Sequence, residues 1–243
     1  MTTRRLWGRL SRPVSRDMPP VWSGHMTSFA VASTLLTMLA VALDPYAQPF
    51  AHLSTNGVLR FMSEITDAAK SGWYIVPAII IIAIIGLTDW RRLRTASRRA
   101  LMSAYGEAAF ILVSISVSGI VVNIIKQFVG RARPRMADEF GVYGFWPFHF
   151  DSAFQGFPSG HAATAGSLAV ILMLWHPKAR WALLALMFLL ACARIPAGAH
   201  YPSDVVAGFS LAAIMTLAFA RWLARRRAVF VFDGDNPFPR LIR

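Results

Sequence analysis

From Trp73 to Leu87 the chain carries no charged side chain, and Ile79 to Ile82 with Ile84-Ile85 leave it no polar face. A helix that is apolar all round needs lipid or a deep core on every side. It stops abruptly at Asp89-Trp90-Arg91-Arg92, and five arginines fall between positions 91 and 99. Five further apolar runs repeat this pattern: Thr27 to Leu43, Met102 to Ile125, Ser159 to Trp175, Trp181 to Ala193 and Asp204 to Trp222. The 15% charged fraction, against about a quarter in soluble domains, agrees, as does the mean hydropathy of +0.48. A net charge of +13 in a soluble chain would suggest nucleic acid. Here the basic residues flank apolar runs, so the expected partner is a membrane and not nucleic acid.

The fold expected is therefore all-α, a polytopic membrane bundle of six transmembrane helices over residues 26–227. A basic tail, 1–25, precedes it and a short tail, 228–243, follows. Ala40-Val41-Ala42 loosely resembles a signal-peptidase site, but the leader and the apolar run are both long for a signal peptide, which favours a retained helix. Six crossings put both termini on one side. Of the 25 basic residues, 18 fall on that side and seven (Arg60, Lys70, Lys126, Arg131, Arg133, Arg135 and Arg194) on the other. The positive-inside rule then makes both termini cytoplasmic. In a bacterial inner membrane the opposite face looks towards the periplasm.

Chemistry-bearing residues collect on that opposite face. Lys126 ends the third run, and Arg133-Pro134 follows in the next loop. Pro158-Ser159-Gly160-His161 opens the fourth helix, while Arg194, His200 and Asp204 surround the start of the sixth. Pro202 is suited to the first helical position, which puts Asp204 in the first turn. Three cations suit a group whose transition state spreads negative charge over its oxygens. Ser159 can cap its helix and Gly160 lets backbone N–H groups approach an anion. One histidine could attack phosphorus and the other protonate the departing oxygen. Asp204 would orient the attacking imidazole. Arg131 and Arg135 fit no such pattern and read as surface charges. Glu107, inside the third run, reads as a structural hydrogen-bonding carboxylate.

Lys126-(six residues)-Arg133-Pro134, then Pro158-Ser159-Gly160-His161, then Arg194-(five residues)-His200-(three residues)-Asp204 together resemble the three-part signature of the type 2 phosphatidic acid phosphatase family. One departure is Ala193, where the family usually has serine. The resemblance implies that His200 is a nucleophile forming a phosphohistidine, with Asp204 orienting it and His161 as the acid. Lys126, Arg133, Arg194, Ser159 and Gly160 resemble the family's phosphate cradle. It implies no metal and no cofactor. The implied partner is a phospholipid or isoprenoid-lipid phosphate; undecaprenyl diphosphate, phosphatidylglycerophosphate, phosphatidate and lipid A phosphates all fit. Two other functions remain open on sequence alone. One is a phosphotransferase using the same phosphohistidine, the other a channel or scaffold with a dead site. The aromatic loop before Pro158, with Phe140, Tyr143, Phe145, Trp146, Phe148, Phe150, Phe154 and Phe157, reads as a lid or entrance in the headgroup layer.

Overall fold

The computed structural model describes residues 17–47, 57–234 and 236–242, together with residues 8, 10, 11, 14 and 15. The arginines of the expected basic tail, Arg4, Arg5, Arg9, Arg12 and Arg16, lie outside the described residues. The helices are α1 (Gly24–Val41), α2 (Gly57–Thr66), α3 (Gly72–Leu87), α4 (Thr95–Val129), the short α5 (Ala137–Phe140), α6 (Gly160–Trp175), α7 (Arg180–Cys192) and α8 (Pro202–Arg225). A two-stranded antiparallel ribbon, β1 (Phe230–Val231) with β2 (Arg240–Leu241), closes the chain.

Among the described residues four helical segments are long and apolar enough to cross a membrane: Gly24–Val41, Glu64–Leu87, Thr95–Val129 and Pro202–Arg225. The other two expected crossings form shorter helices, 16 residues in α6 and 13 in α7. For α6 the reason is position. It stands at the centre, packed on α4, α7 and α8, and is buried from Ala162 to Ile171 without a break. Its length answers to those neighbours and not to lipid. The isoleucine-rich α3 is the opposite case: Ile80 is 51% and Ile84 61% exposed, so its apolar surface is a lipid-facing one.

Two glycines let α6 and α8 meet. A Cβ on Gly166 would stand 2.1 Å from the Phe209 carbonyl oxygen, and one on Gly208 would stand 2.3 Å from that of Ser159. The Ser159 N–H donates to the Asp204 carbonyl at 2.9 Å, so the two helix starts are joined at the contact. We expect Gly208→Ala to force these backbones apart, costing about 3 kcal/mol. A thermal-unfolding scan in detergent, read beside phosphate release, checks this: both should fall. Deeper in the bundle Thr216 donates to Ser167 at 3.1 Å and Ser167 to Ser118 at 3.4 Å, a polar link through α8, α6 and α4. Glu107 accepts from Ser103 at 2.8 Å.

The end of the bundle away from Lys126 is tied together by Arg221. It is 3% exposed and donates to the carbonyls of Pro20, Val21 and Pro237, joining both chain ends to α8. The segment after Arg227, expected as a short tail, folds back on the core: Phe230 is fully buried, edge-on to Phe110 at 4.8 Å.

Candidate active site

Lys126, Gly160 and Pro202 stand at the same end of the bundle, on the last turn of α4 and the first turns of α6 and α8. Gly130, at φ +59°, ends α4 in the left-handed conformation that glycine adopts readily, and turns the chain towards Arg131 and Arg133. The Lys126 ammonium lies 3.6 Å from where a Cβ on Gly160 would stand, so it points at the N-terminus of α6. That terminus is capped as expected, the Ala162 N–H donating to Ser159 Oγ at 3.4 Å.

Arg133 is steadied by donating Nε to the Ser152 carbonyl at 3.0 Å. Arg194 donates to Thr66 Oγ1 at 2.9 Å, which hangs it from the end of α2 and leaves its Nε buried without a partner among the described residues. Burial lowers the Arg194 pKa, and the neighbouring Arg133 charge lowers it further. None of Lys126, Arg133 and Arg194 forms an ion pair among the described residues. Three cations held close together with no direct ion pair among the described residues make a site that favours a multiply charged anion.

The His200 ring is 2% exposed. Its Nδ1 lies 2.9 Å from the Gly156 carbonyl and 3.6 Å from Asp204 Oδ2. A carbonyl can only accept, so Nδ1 carries the hydrogen and Nε2 is left with its lone pair. Asp204 was expected to orient this imidazole directly. The shorter bond comes instead from Gly156, because Asp204 is engaged elsewhere: Oδ1 accepts from Arg131 at 2.8 Å and Oδ2 from the Tyr201 N–H at 2.8 Å. His161, on the first turn of α6, has a buried Nε2 with no partner among the described residues.

Burial pushes the His200 pKa down to about 4; Asp204 opposes this, and Arg133 and Arg194 reinforce it. The ring is therefore neutral well into mild acid. We expect the acid limb that His200 contributes to the kcat/KM profile, which reports groups of the free enzyme, to lie near pH 4 and not near 6.5. The sign for stability follows. Between about 4 and 6.5 an unfolded chain binds a proton here that the folded chain does not, so this group makes stability fall as pH drops through that window.

Arg131 corrects the sequence expectation. It is 3% exposed and not a surface charge, because it is held between the carboxylates of Asp204 and Asp44, each at 2.8 Å. Arg135, four residues on, is exposed as expected. Thr66, Gly156 and Asp44 belong to no motif visible in the sequence. A backbone carbonyl leaves no trace in a side-chain pattern. Asp44 did offer a signal, as an acid closing the first apolar run on the face that holds the motifs.

The aromatic loop divides in two. Phe140, Trp146 and Phe154 pack edge to face at 4.7 to 5.3 Å, a small core over Ala132 and Ala153 that stiffens the segment carrying Arg131 and Arg133. Tyr143, Phe145, Phe148 and Phe150 remain exposed.

Residues 107–228, half the chain, match the family model of the PAP2 superfamily. The chain belongs to that superfamily. It is 30% identical to a lipid A 1-phosphatase of Rhizobium johnstonii over 238 residues, 96% of this chain and 95% of the relative. A second lipid A 1-phosphatase, from Rhizobium etli, is 31% identical over 84% of this chain and 90% of its own length. Undecaprenyl-diphosphatase BcrC of Bacillus subtilis is 28% identical over 60% of this chain and 69% of its own. Among solved structures, a transmembrane PAP2-type phosphatidylglycerolphosphate phosphatase from Bacillus subtilis superposes with a TM-score of 0.49 at 18% identity, covering 76% of this chain and 91% of that one. As a PAP2 membrane phosphatase, the chain is a phosphoric ester hydrolase and a bacterial multi-pass membrane protein.

Proposed function

We propose that the chain removes a phosphate from a lipid by way of a phosphohistidine on His200, without a metal, at the periplasmic face of the inner membrane. The observation that carries this is the gathering of Lys126, Arg133 and Arg194, none in an ion pair among the described residues, beside a neutral His200 whose Nε2 has its lone pair available. Lys126, Arg133, Arg194 and the α6 N–H groups behind Ser159 and Gly160 hold the phosphoryl oxygens. The His200 Nε2 lone pair forms the bond to phosphorus as the bond to the lipid oxygen breaks. That oxygen takes the proton of His161, whose charged form the incoming phosphate favours, and leaves as the lipid alcohol. Water then attacks phosphorus and gives its proton to His161. The N–P bond breaks, phosphate departs and His200 is restored.

For the substrate we propose a lipid A phosphate, the 1-phosphate in particular, on the near full-length similarity to two lipid A 1-phosphatases. Undecaprenyl diphosphate is the second reading, favoured by the shorter match to BcrC. The test is phosphate release by protein purified in detergent with chelator, across lipid A, undecaprenyl diphosphate, phosphatidylglycerophosphate and phosphatidate. Preference for lipid A with loss of its 1-phosphate supports the first reading. Activity on none of the four, or only with added metal, would overturn the proposal. Transfer of the trapped phosphoryl group to a lipid hydroxyl in preference to water would make it a phosphotransferase.

A further inference from the structure

Behind His200 lies a buried polar cluster that no step above uses. Its members come from three distant parts of the chain: Asp44 after α1, Arg131 after α4, and Ser203 with Asp204 on the first turn of α8. Arg131 donates through Nη1 to Asp204 Oδ1 at 2.8 Å and to Ser203 Oγ at 2.7 Å. Through Nη2 it donates to Asp44 Oδ2 at 2.8 Å. Asp44 also accepts from the Ser203 N–H at 3.0 Å and from Ser203 Oγ at 2.6 Å. The Tyr201 ring covers the guanidinium at 4.3 Å. Asp44, Ser203, Asp204 and Tyr201 are fully buried, and Arg131 nearly so.

A planar fork can bridge two carboxylates in one geometry, which an ammonium cannot. Removing one partner of such a buried set leaves a charge uncompensated. The consequence reaches His200. When its Nε2 bonds to phosphorus the ring becomes cationic, and Asp204, 3.6 Å from Nδ1, is the carboxylate nearest to that charge. Arg131 alone would offset the Asp204 charge, and Asp44 offsets that of Arg131 in turn. The other charges around His200 are the cations Arg133 and Arg194, which disfavour a cationic ring.

We propose that Asp44 and Arg131 are positioning residues that fix Asp204, with its charge intact, behind the His200 imidazole. Asp44 lies outside residues 107–228, so the turn just after the first membrane helix supplies a part of the site that the family match does not contain. This rests on the phosphatase reading above.

The test uses full-length protein in detergent, comparing wild type with Asp44→Asn, Arg131→Lys and Asp44→Asn/Arg131→Lys. Asp44→Asn keeps the shape, removes the charge and turns one of the two accepting oxygens into a donor. Its rate of phosphohistidine formation should fall roughly 10- to 100-fold with KM within about twofold, because the phosphate cradle is untouched. Arg131→Lys should fall at least as far, and the double variant less than the product of the single effects, since they break one network. In parallel the 15N resonance of His200 Nδ1, identified by its loss in His200→Ala, should move in both single variants without substrate. Unchanged kcat and an unmoved resonance in Asp44→Asn would overturn the proposal, as would a loss of folded protein with kcat per folded molecule unchanged. A moved resonance in protein whose wild type releases no phosphate would leave the network standing and overturn the phosphatase reading. No release and no movement would overturn both.

Discussion

Replacing His200 by glutamine should abolish turnover and, with it, any trapped phosphoenzyme. Glutamine retains a side-chain N–H that can reach the Gly156 carbonyl, so the pocket should keep its shape. What is lost is the Nε2 lone pair. Deleting a nucleophile in enzymes of covalent mechanism costs on the order of 10⁴-fold or more, the residue of activity coming from the anion site alone. The measurement is single turnover quenched in alkaline detergent, with 32P-labelled lipid phosphate. Wild type should show an acid-labile, base-stable phosphoramidate that the variant lacks, while substrate binding by the variant stays within a few-fold because Lys126, Arg133 and Arg194 are unaltered. Turnover within tenfold of wild type would mean that water attacks phosphorus directly. The buried, neutral His200 ring makes that the less favoured route, since burial holds its pKa near 4 and so keeps the lone pair available at neutral pH.

His161→Asn should have an effect that depends on the leaving group. The His161 Nε2 has no partner among the described residues, which leaves it free to give a proton to a departing oxygen. An alkoxide is a poor leaving group without that proton, so release from a lipid phosphate should fall about 10²- to 10⁴-fold. p-Nitrophenolate departs without help, and hydrolysis of p-nitrophenyl phosphate should form the phosphoenzyme at close to the wild-type rate. Its breakdown should then slow, because the same imidazole takes the proton of the attacking water. Phosphohistidine should therefore accumulate in this variant with the activated substrate. Equal losses on both substrates would mean that His161 holds phosphate and does not move a proton.

How far the site was legible depended on what kind of atom carries each role. Charged and ionisable side chains at a helix end are visible as breaks in an apolar run, and Lys126, His161 and Arg194 were found that way. Ser159 and Pro202 announce helix starts because capping and a locked φ are local properties. The role of Arg131 is hidden for the converse reason. A cation in a loop looks the same whether it faces water or two carboxylates, and its partners lie 87 and 73 residues away in the chain. Each of the six apolar runs forms a helix, four of them among the described residues long and apolar enough to cross a membrane, but the runs do not show the helices' lengths or surroundings. Hydropathy alone cannot separate α3, which faces lipid, from α6, which faces protein on every side.

By itself the sequence determined the helical membrane class, the end of the bundle on which the motifs gather, and the family. All three follow from short-range patterns: apolar length, charge at run ends, and spacing within a few turns. Only the tertiary structure decided what holds His200. Its Nδ1 bond goes to a backbone carbonyl at Gly156, and Asp204 stands behind it under the hold of Arg131 and Asp44. Those are contacts between segments distant in the chain, made possible where Gly208 lets α8 close on the Ser159 backbone to within 2.3 Å of an added Cβ. No local pattern encodes such a meeting, because it exists only when the helices have packed.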